Sequence, residues 1–202
     1  IVNLGFKYQL LERHKEALVY FDKAVNLDPE GPLGYSNRSF SKLKLGDTKG
    51  AMADINKSLK IMPSNSWAYK IIAMIYMEQG KTQAAHDVLK DIALQGEDPQ
   101  VWAMLGSYQM QLGNMSEAAR SFEAAVALAP NMAPFRNQLA ISLLSVGQDD
   151  QAIAQLSSAI DLDGSQFQSD YILAMVNMRN GDFESAKVAI ERFIVKSPEG
   201  PI

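Results

Sequence analysis

The stretch from Pro99 to Pro130, PQVWAMLGSYQMQLGNMSEAARSFEAAVALAP, decides the fold. Large and small apolar residues recur three and four apart on both sides of Gly113: Trp102 and Leu105 before it, then Ala118, Phe122 and Ala125. That is the period of a helix with one buried face. Gly113 can take a positive φ and so end the first helix. Pro130 cannot continue the second. The stretch predicts a helix, a tight turn, a second helix and an exit.

Working outward, the same features return along the whole chain. Alanines stand at 17, 51, 85, 118, 152 and 186, and glycines at 46, 80, 113, 147 and 181. Each step is 34 residues, except one step of 33 in each ladder, ending at Ala118 and Gly113. Glu12 stands where the first copy would carry its glycine. Four places after the alanines come Phe21, Ile55, Leu89, Phe122, Leu156 and Ile190. The exits are Pro29, Pro63, Pro130 and Pro198, with Gly164 substituting once. In the first helices, Leu4, Arg38, Ile72, Leu105, Leu139 and Leu173 each precede a small residue: Gly5, Ser39, Ala73, Gly106, Ala140 and Ala174. A fixed period means one unit copied along the chain, which a generic helical bundle would not need. The small residues fall where two helix axes must approach closely.

At these positions the chain resembles the tetratricopeptide repeat family, most clearly at Trp102, Leu105, Gly106, Gly113, Ala118, Phe122, Ala125 and Pro130. The resemblance covers the whole chain. It implies an all-α fold, a right-handed superhelical solenoid of antiparallel helix pairs. The expected repeats are 1–31 (truncated at its start), 32–65, 66–98, 99–132, 133–166 and 167–202, the last including a C-terminal tail. Ile1 opens the sequence with neither a start methionine nor a leader, which reads as an excised or processed piece. The last helix carries Val188, Ile190, Phe193, Ile194 and Val195, more apolar surface than a capping helix should show. Further repeats, or self-association with another copy through this end, would cover it.

The bulk properties exclude several function classes. A net charge of -4 does not suit a nucleic-acid binder, which needs a basic stripe against phosphates. No apolar run is long enough to span a bilayer; IIAMIYM, residues 71–77, is followed at once by Glu78. With no cysteine, the redox compartment cannot be read, and cytoplasm and periplasm are both compatible. The two halves also differ. Residues 1–98 hold eleven of the thirteen lysines with charges nearly balanced, whereas residues 99–202 carry a net charge of -5 and more alanine and glutamine. The change coincides with the 33-residue step near LQGEDPQ. Ordinary drift with a one-residue deletion explains it, and so would a fusion of two arrays, natural or engineered.

Chemistry-bearing clusters are missing. His14 and His86 lie in different repeats and read as surface or packing residues, not as metal ligands. Asp149 and Asp150 read as acids favouring a helix N-terminus. QLGNMSEAA, residues 111–119, has no phosphate-loop spacing and no lysine. The expectation is a protein without catalytic residues, cofactor or metal.

In the family that the chain resembles, the first helices line a concave groove that receives the partner. Carried over by register, the groove residues are Phe6 in the first repeat, Asn37 and Phe40 in the second, and Trp67, Lys70, Met74 and Met77 in the third. Met110 follows in the fourth, Asn137 and Ile141 in the fifth, and Tyr171, Met175 and Met178 in the sixth. Methionine adapts to irregular ligands and aromatic residues anchor interfaces, so this stripe suits an apolar or amphipathic peptide or helix. For any one residue, packing between neighbouring first helices explains the apolar choice equally well.

GYSNRSFSKLKLGD, residues 34–47, resembles the second repeat of co-chaperones that clamp a C-terminal carboxylate with lysine, arginine and asparagine. Only Asn37 matches. Val2, Phe6, Trp67 and Ile71 occupy the other clamp places, so the cations that would offset carboxylate desolvation are missing. The main reading is a noncatalytic protein-binding scaffold. The second half resembles bacterial tetratricopeptide proteins of envelope export and assembly. Two alternatives are a docking or regulatory segment of a larger enzyme, and an engineered array with no native partner.

The register makes one stability prediction. Ala118→Leu should overpack a helix crossing and cost about 1–3 kcal/mol in chemical denaturation. A neutral substitution would mean the register is wrong.

Overall fold

A computed structural model describes residues 1–165 and 167–196. They form twelve helices: α1 (Val2–Leu10), α2 (His14–Leu27), α3 (Pro32–Lys44), α4 (Thr48–Ile61), α5 (Ser66–Glu78), α6 (Thr82–Ala93), α7 (Pro99–Gln111), α8 (Met115–Leu128), α9 (Ala133–Ser145), α10 (Asp149–Leu162), α11 (Phe167–Arg179) and α12 (Phe183–Lys196). The fold is all-α, and the helices run as six consecutive pairs, one for each copy of the sequence period. They belong to two compact units, residues 1–96 and 97–202, each containing three pairs.

The turn within each pair is set by backbone chirality. Gly46, Gly80, Gly113, Gly147 and Gly181 take φ between 70° and 84°, a region that L side chains rarely adopt. Glu12 is forced into the same region at φ 56°, the one departure from glycine. The residue after the turn then donates its N–H back to the first helix, as from Asp47 to Lys42 O at 2.9 Å and from Asn114 to Gln109 O at 2.8 Å. Those bonds satisfy carbonyls that the helix end would leave open. The helix that follows is capped by a side chain in two of the pairs: Asp47 Oδ1 accepts from Gly50 N at 2.8 Å at the start of α4, and Asp182 Oδ1 from Ser185 N at 3.0 Å at the start of α12. Pro32 and Pro99 open α3 and α7, where the missing N–H costs nothing. The proline expected at 198 lies outside the described residues.

The 33-residue step has a structural origin. α6 has 12 residues, whereas α2, α4, α8, α10 and α12 have 14 each. The connection that follows α6 runs from 94 to 98, and the boundary between the two units falls within it.

Within a pair, the two helices meet at one crossing. Phe21, Ile55, Leu89, Phe122 and Leu156 are completely buried there, each contributing about 1.5–3 kcal/mol of burial. The facing residue of the first helix is small because nothing else fits. A Cβ on Gly106 would stand 2.8 Å from the Phe122 ring, and one on Gly5 would stand 2.6 Å from the Phe21 ring. Phenylalanine occurs opposite glycine in both cases. Where the first-helix residue is Ser39, Ala73, Ala140 or Ala174, the partner by register is Ile55, Leu89, Leu156 or Ile190. Volume is thus held constant at each crossing while its division between the helices varies. The alanine ladder lies on the same seam: Ala17, Ala51, Ala85, Ala118 and Ala152 are 0% exposed.

This compensation can be measured. Gly106→Ala alone should cost about 1–3 kcal/mol by overpacking, and Phe122→Leu alone about 1–2 kcal/mol by leaving a cavity. Combined, they should cost at least about 1 kcal/mol less than their sum. Additive losses in urea denaturation would show that the two residues do not share one volume.

Candidate functional site

In the first unit, α1, α3 and α5 are the first helices of their pairs, and their residues form the candidate face. Phe6 is 48% exposed on α1, next to the exposed Leu10, and Leu33 is 53% exposed on α3. Phe40 and Trp67 are half-buried and touch, with ring centroids 5.4 Å apart at 48°. Two ammonium groups lie over this aromatic pair: Lys44 Nζ is 5.5 Å from the Phe40 centroid and Lys70 Nζ is 5.5 Å from that of Trp67. The cations lean on electron-rich ring faces, an attraction that also orders the lysines. The His14 ring meets Phe40 edge-on at 5.8 Å.

The face also serves as packing. Phe40, Trp67 and Met74 lie against the cluster of Leu43, Ala51, Ile55, Ala68, Ile71 and Ile75. Met77 is half-buried, Asn37 donates Nδ2 to Leu33 O at 2.8 Å within its own helix, and Lys70 is only 6% exposed. Gln9 Nε2 spans from α1 to α3, donating to Asn37 O at 2.7 Å and to Ser41 Oγ at 2.9 Å. The predicted stripe is therefore a partly buried aromatic platform, and Phe6, Leu10 and Leu33 are the exposed apolar residues of α1 and α3.

In the second unit the predicted residues separate. Met175 and Met178 are 54% and 59% exposed on α11, and Tyr171 is 45% exposed with its ring 5.3 Å from Phe193. Met110 packs against the unit's core, and Ile141 is half-buried. Asn137 is buried, and its Oδ1 accepts from Ser169 Oγ at 2.7 Å. It ties α9 to α11, a role that its place in the register did not suggest.

Sequence reading missed a set of polar contacts inside the pairs. Residues twelve apart, one on each helix of a pair, meet repeatedly. Tyr8 stacks on Tyr20 at 5.2 Å, Lys42 Nζ is 2.8 Å from Asp54 Oδ2, and Ser121 Oγ donates to Gln109 Oε1 at 2.6 Å. Arg38 extends the second of these, donating to both Asp54 oxygens at 2.8 and 2.6 Å and to Asp22 Oδ1 at 2.9 Å. The bonds to Asp54 hold the Arg38 guanidinium above its ordinary pKa. Asp170 is fully buried and receives Arg192 Nε at 2.7 Å and Lys196 Nζ at 2.6 Å. For the Tyr8, Lys42 and Gln109 contacts the constant spacing of twelve was the available signal, which the Arg38 and Asp170 ion pairs do not share. Side-chain type changes from copy to copy, so a search by residue type does not find it.

Neither histidine joins a cluster of ligands. His86 Nδ1 lies 2.8 Å from Asp87 Oδ1, whose carboxyl is held below its usual pKa chiefly by that contact. Among the described residues, no three His, Asp or Glu side chains form a group that could hold a metal ion. No helix there is long and apolar enough to cross a membrane. Asp149 and Asp150 open α10, and Asp149 pairs with Arg179.

Comparison with known proteins places these elements in context. The model of the cytochrome c-type biogenesis protein H TPR domain matches residues 90–199. Tetratricopeptide repeat models match residues 42–108 and 1–30. TPR repeat-containing protein MJ1428 of Methanocaldococcus jannaschii is 24% identical over 85% of this chain and 38% of its own length. Human DnaJ homolog subfamily C member 3 is 24% identical over 91% of this chain and 40% of its own. The chain thus spans about two fifths of these relatives. Among solved structures, Pseudomonas aeruginosa PilF matches with a TM-score of 0.79 at 19% identity, covering 98% of this chain and 92% of that one. YrrB, a TPR protein with an unusual peptide-binding site, matches with a TM-score of 0.71 at 22% identity, covering 89% and 93%.

Proposed function

Because the chain belongs to the tetratricopeptide repeat family, whose members are helical-repeat scaffolds that bind protein partners, we propose that it is a noncatalytic scaffold whose first-helix face in the first unit takes an apolar or amphipathic segment of another protein. The observation that carries this reading is the Phe40–Trp67 pair, together with Phe6 and Leu10 exposed on α1 and Leu33 exposed on α3. Exposed apolar surface around aromatic residues marks contact sites, and aromatic anchors supply much of the energy there. Lys44, exposed over Phe40, favours a partner segment with an acidic residue beside its apolar ones. The exposed Tyr171, Met175 and Met178 give the second unit its own contact surface of the same kind.

A role in bacterial envelope assembly is part of this proposal, and the family model matching residues 90–199, named for a cytochrome c-type biogenesis protein, agrees with an assembly role. A second reading, a docking segment of a larger protein, is supported by the relatives' greater length.

The test is capture of a partner by the intact chain, followed by substitution. Phe40→Ser with Met74→Ser and Met77→Ser should weaken binding by more than about 100-fold. Since these residues also pack internally, the exposed pair Phe6→Ser and Leu33→Ser gives a second measure, expected to weaken binding about tenfold with the circular dichroism spectrum unchanged. Unchanged affinity in both variants would refute the face.

A further inference from the structure

The two units differ at one place on their second-helix side. In the first unit, the space above α3 between α2 and α4 is filled by long cations of the chain itself. Arg38 reaches Asp22 on α2 and Asp54 on α4, and Lys42 reaches Asp54. The residues of the second unit in the same register are Ser157 for Asp22, Leu173 for Arg38, Asn177 for Lys42 and Ala189 for Asp54. All four are short or uncharged. The space they leave between α10, α11 and α12 is a cleft of about 530 Å³, with Ser157, Leu173 and Asn177 in its lining. That volume lies within the usual range for ligand sites, about 300–1,000 Å³.

Asn177 makes the cleft more than a packing defect. It is only 6% exposed as a residue and lines the opening, and its carboxamide, which makes no hydrogen bond to the described residues, is open to solvent there. An amide that opens onto a cleft without a protein partner keeps its donors and acceptor available to water or to a guest. Ile153, Leu173 and Val188 supply apolar wall, and Asp182 and Glu184 supply negative charge. Asp182 Oδ1 accepts from Ser185 N at 3.0 Å, and bonding to Ser185 holds its carboxyl below the ordinary pKa, so it stays ionised. Arg192 also lines the cleft, with its Nε engaged by the fully buried Asp170.

We propose that this cleft is a second binding site, which receives a lysine or arginine side chain of a partner protein. The apolar wall holds the alkyl stem, the Asn177 carbonyl and the Asp182 and Glu184 carboxylates accept from the charged head, and the guest takes the place that Arg38 and Lys42 fill in the first unit. The site is built from residues of the second unit alone and does not depend on the first-helix face of the first.

The test uses the intact, nitrogen-15-labelled chain and single-residue probes: N-acetyl-arginine amide, N-acetyl-lysine amide and, with opposite charge, N-acetyl-glutamate amide. At up to about 50 mM, a cationic probe should shift the Asn177 side-chain amide and the Ser185 and Val188 backbone amides saturably. High salt should weaken this response. Glu184→Gln, at an exposed position, should weaken binding about threefold or more. Asn177→Leu should abolish it, with the fold kept because Leu143 occupies the same place in the preceding pair. The proposal is overturned if the cationic probes leave these resonances unmoved, if the glutamate probe moves them equally or alone, or if both variants bind as well as the parent chain.

Discussion

Each helix pair depends on one steric constraint: a large side chain of the second helix fills the space that a small residue of the first leaves open. Phe122 over Gly106 and Phe21 over Gly5 show it in its tightest form, because one added carbon would stand closer than 3 Å to the ring. Everything else in the pair follows from bringing the axes that close. The alanine ladder lies along the same seam, and the positive-φ turn returns the chain at the right distance. Residues such as Asn37, Phe40, Trp67 and Met74 are then left on the first-helix face, and Asp54 and Ser121 are carried against their partners twelve residues earlier.

The parts of this design that act locally were legible in the sequence. A turn that needs φ near 80° selects glycine, and a crossing without room selects glycine, alanine or serine, so both wrote a period into the chain. Glu12 shows that the turn geometry holds even where the residue type fails. Contacts that can be made by several chemistries were not legible. A stacked tyrosine pair, an ion pair and a hydroxyl–amide bond occupy one register in three copies, so no residue type repeats. The register also placed groove residues without fixing their exposure. Lys70 folds down over Trp67, and Asn137 turns to Ser169, because aromatic and polar neighbours offer them better partners than water.

The two units share this architecture and put it to different chemical use. The first uses its abundant lysine and arginine internally, over the aromatic pair and across α2, α3 and α4. The second spends fewer cations. Arg192 and Lys196 are committed to Asp170, and the register position that carries Lys42 in the first unit carries a bare carboxamide. The proposed aromatic face on one unit and the proposed cleft on the other would be two chemically distinct contacts. Two weak contacts on one partner can together exceed either alone, provided that the geometry allows both to engage.

The central claim is that the partner lies on the first-helix face of the first unit. Site-specific photo-crosslinking tests it most directly, with a benzophenone side chain placed either at Phe40 or at Val19, which is exposed on the second helix α2. After irradiation in a lysate of the source cells, peptide sequencing should find an apolar or amphipathic segment joined at position 40 and not at position 19. Adducts to the same protein from position 19, with none from position 40, would contradict the account.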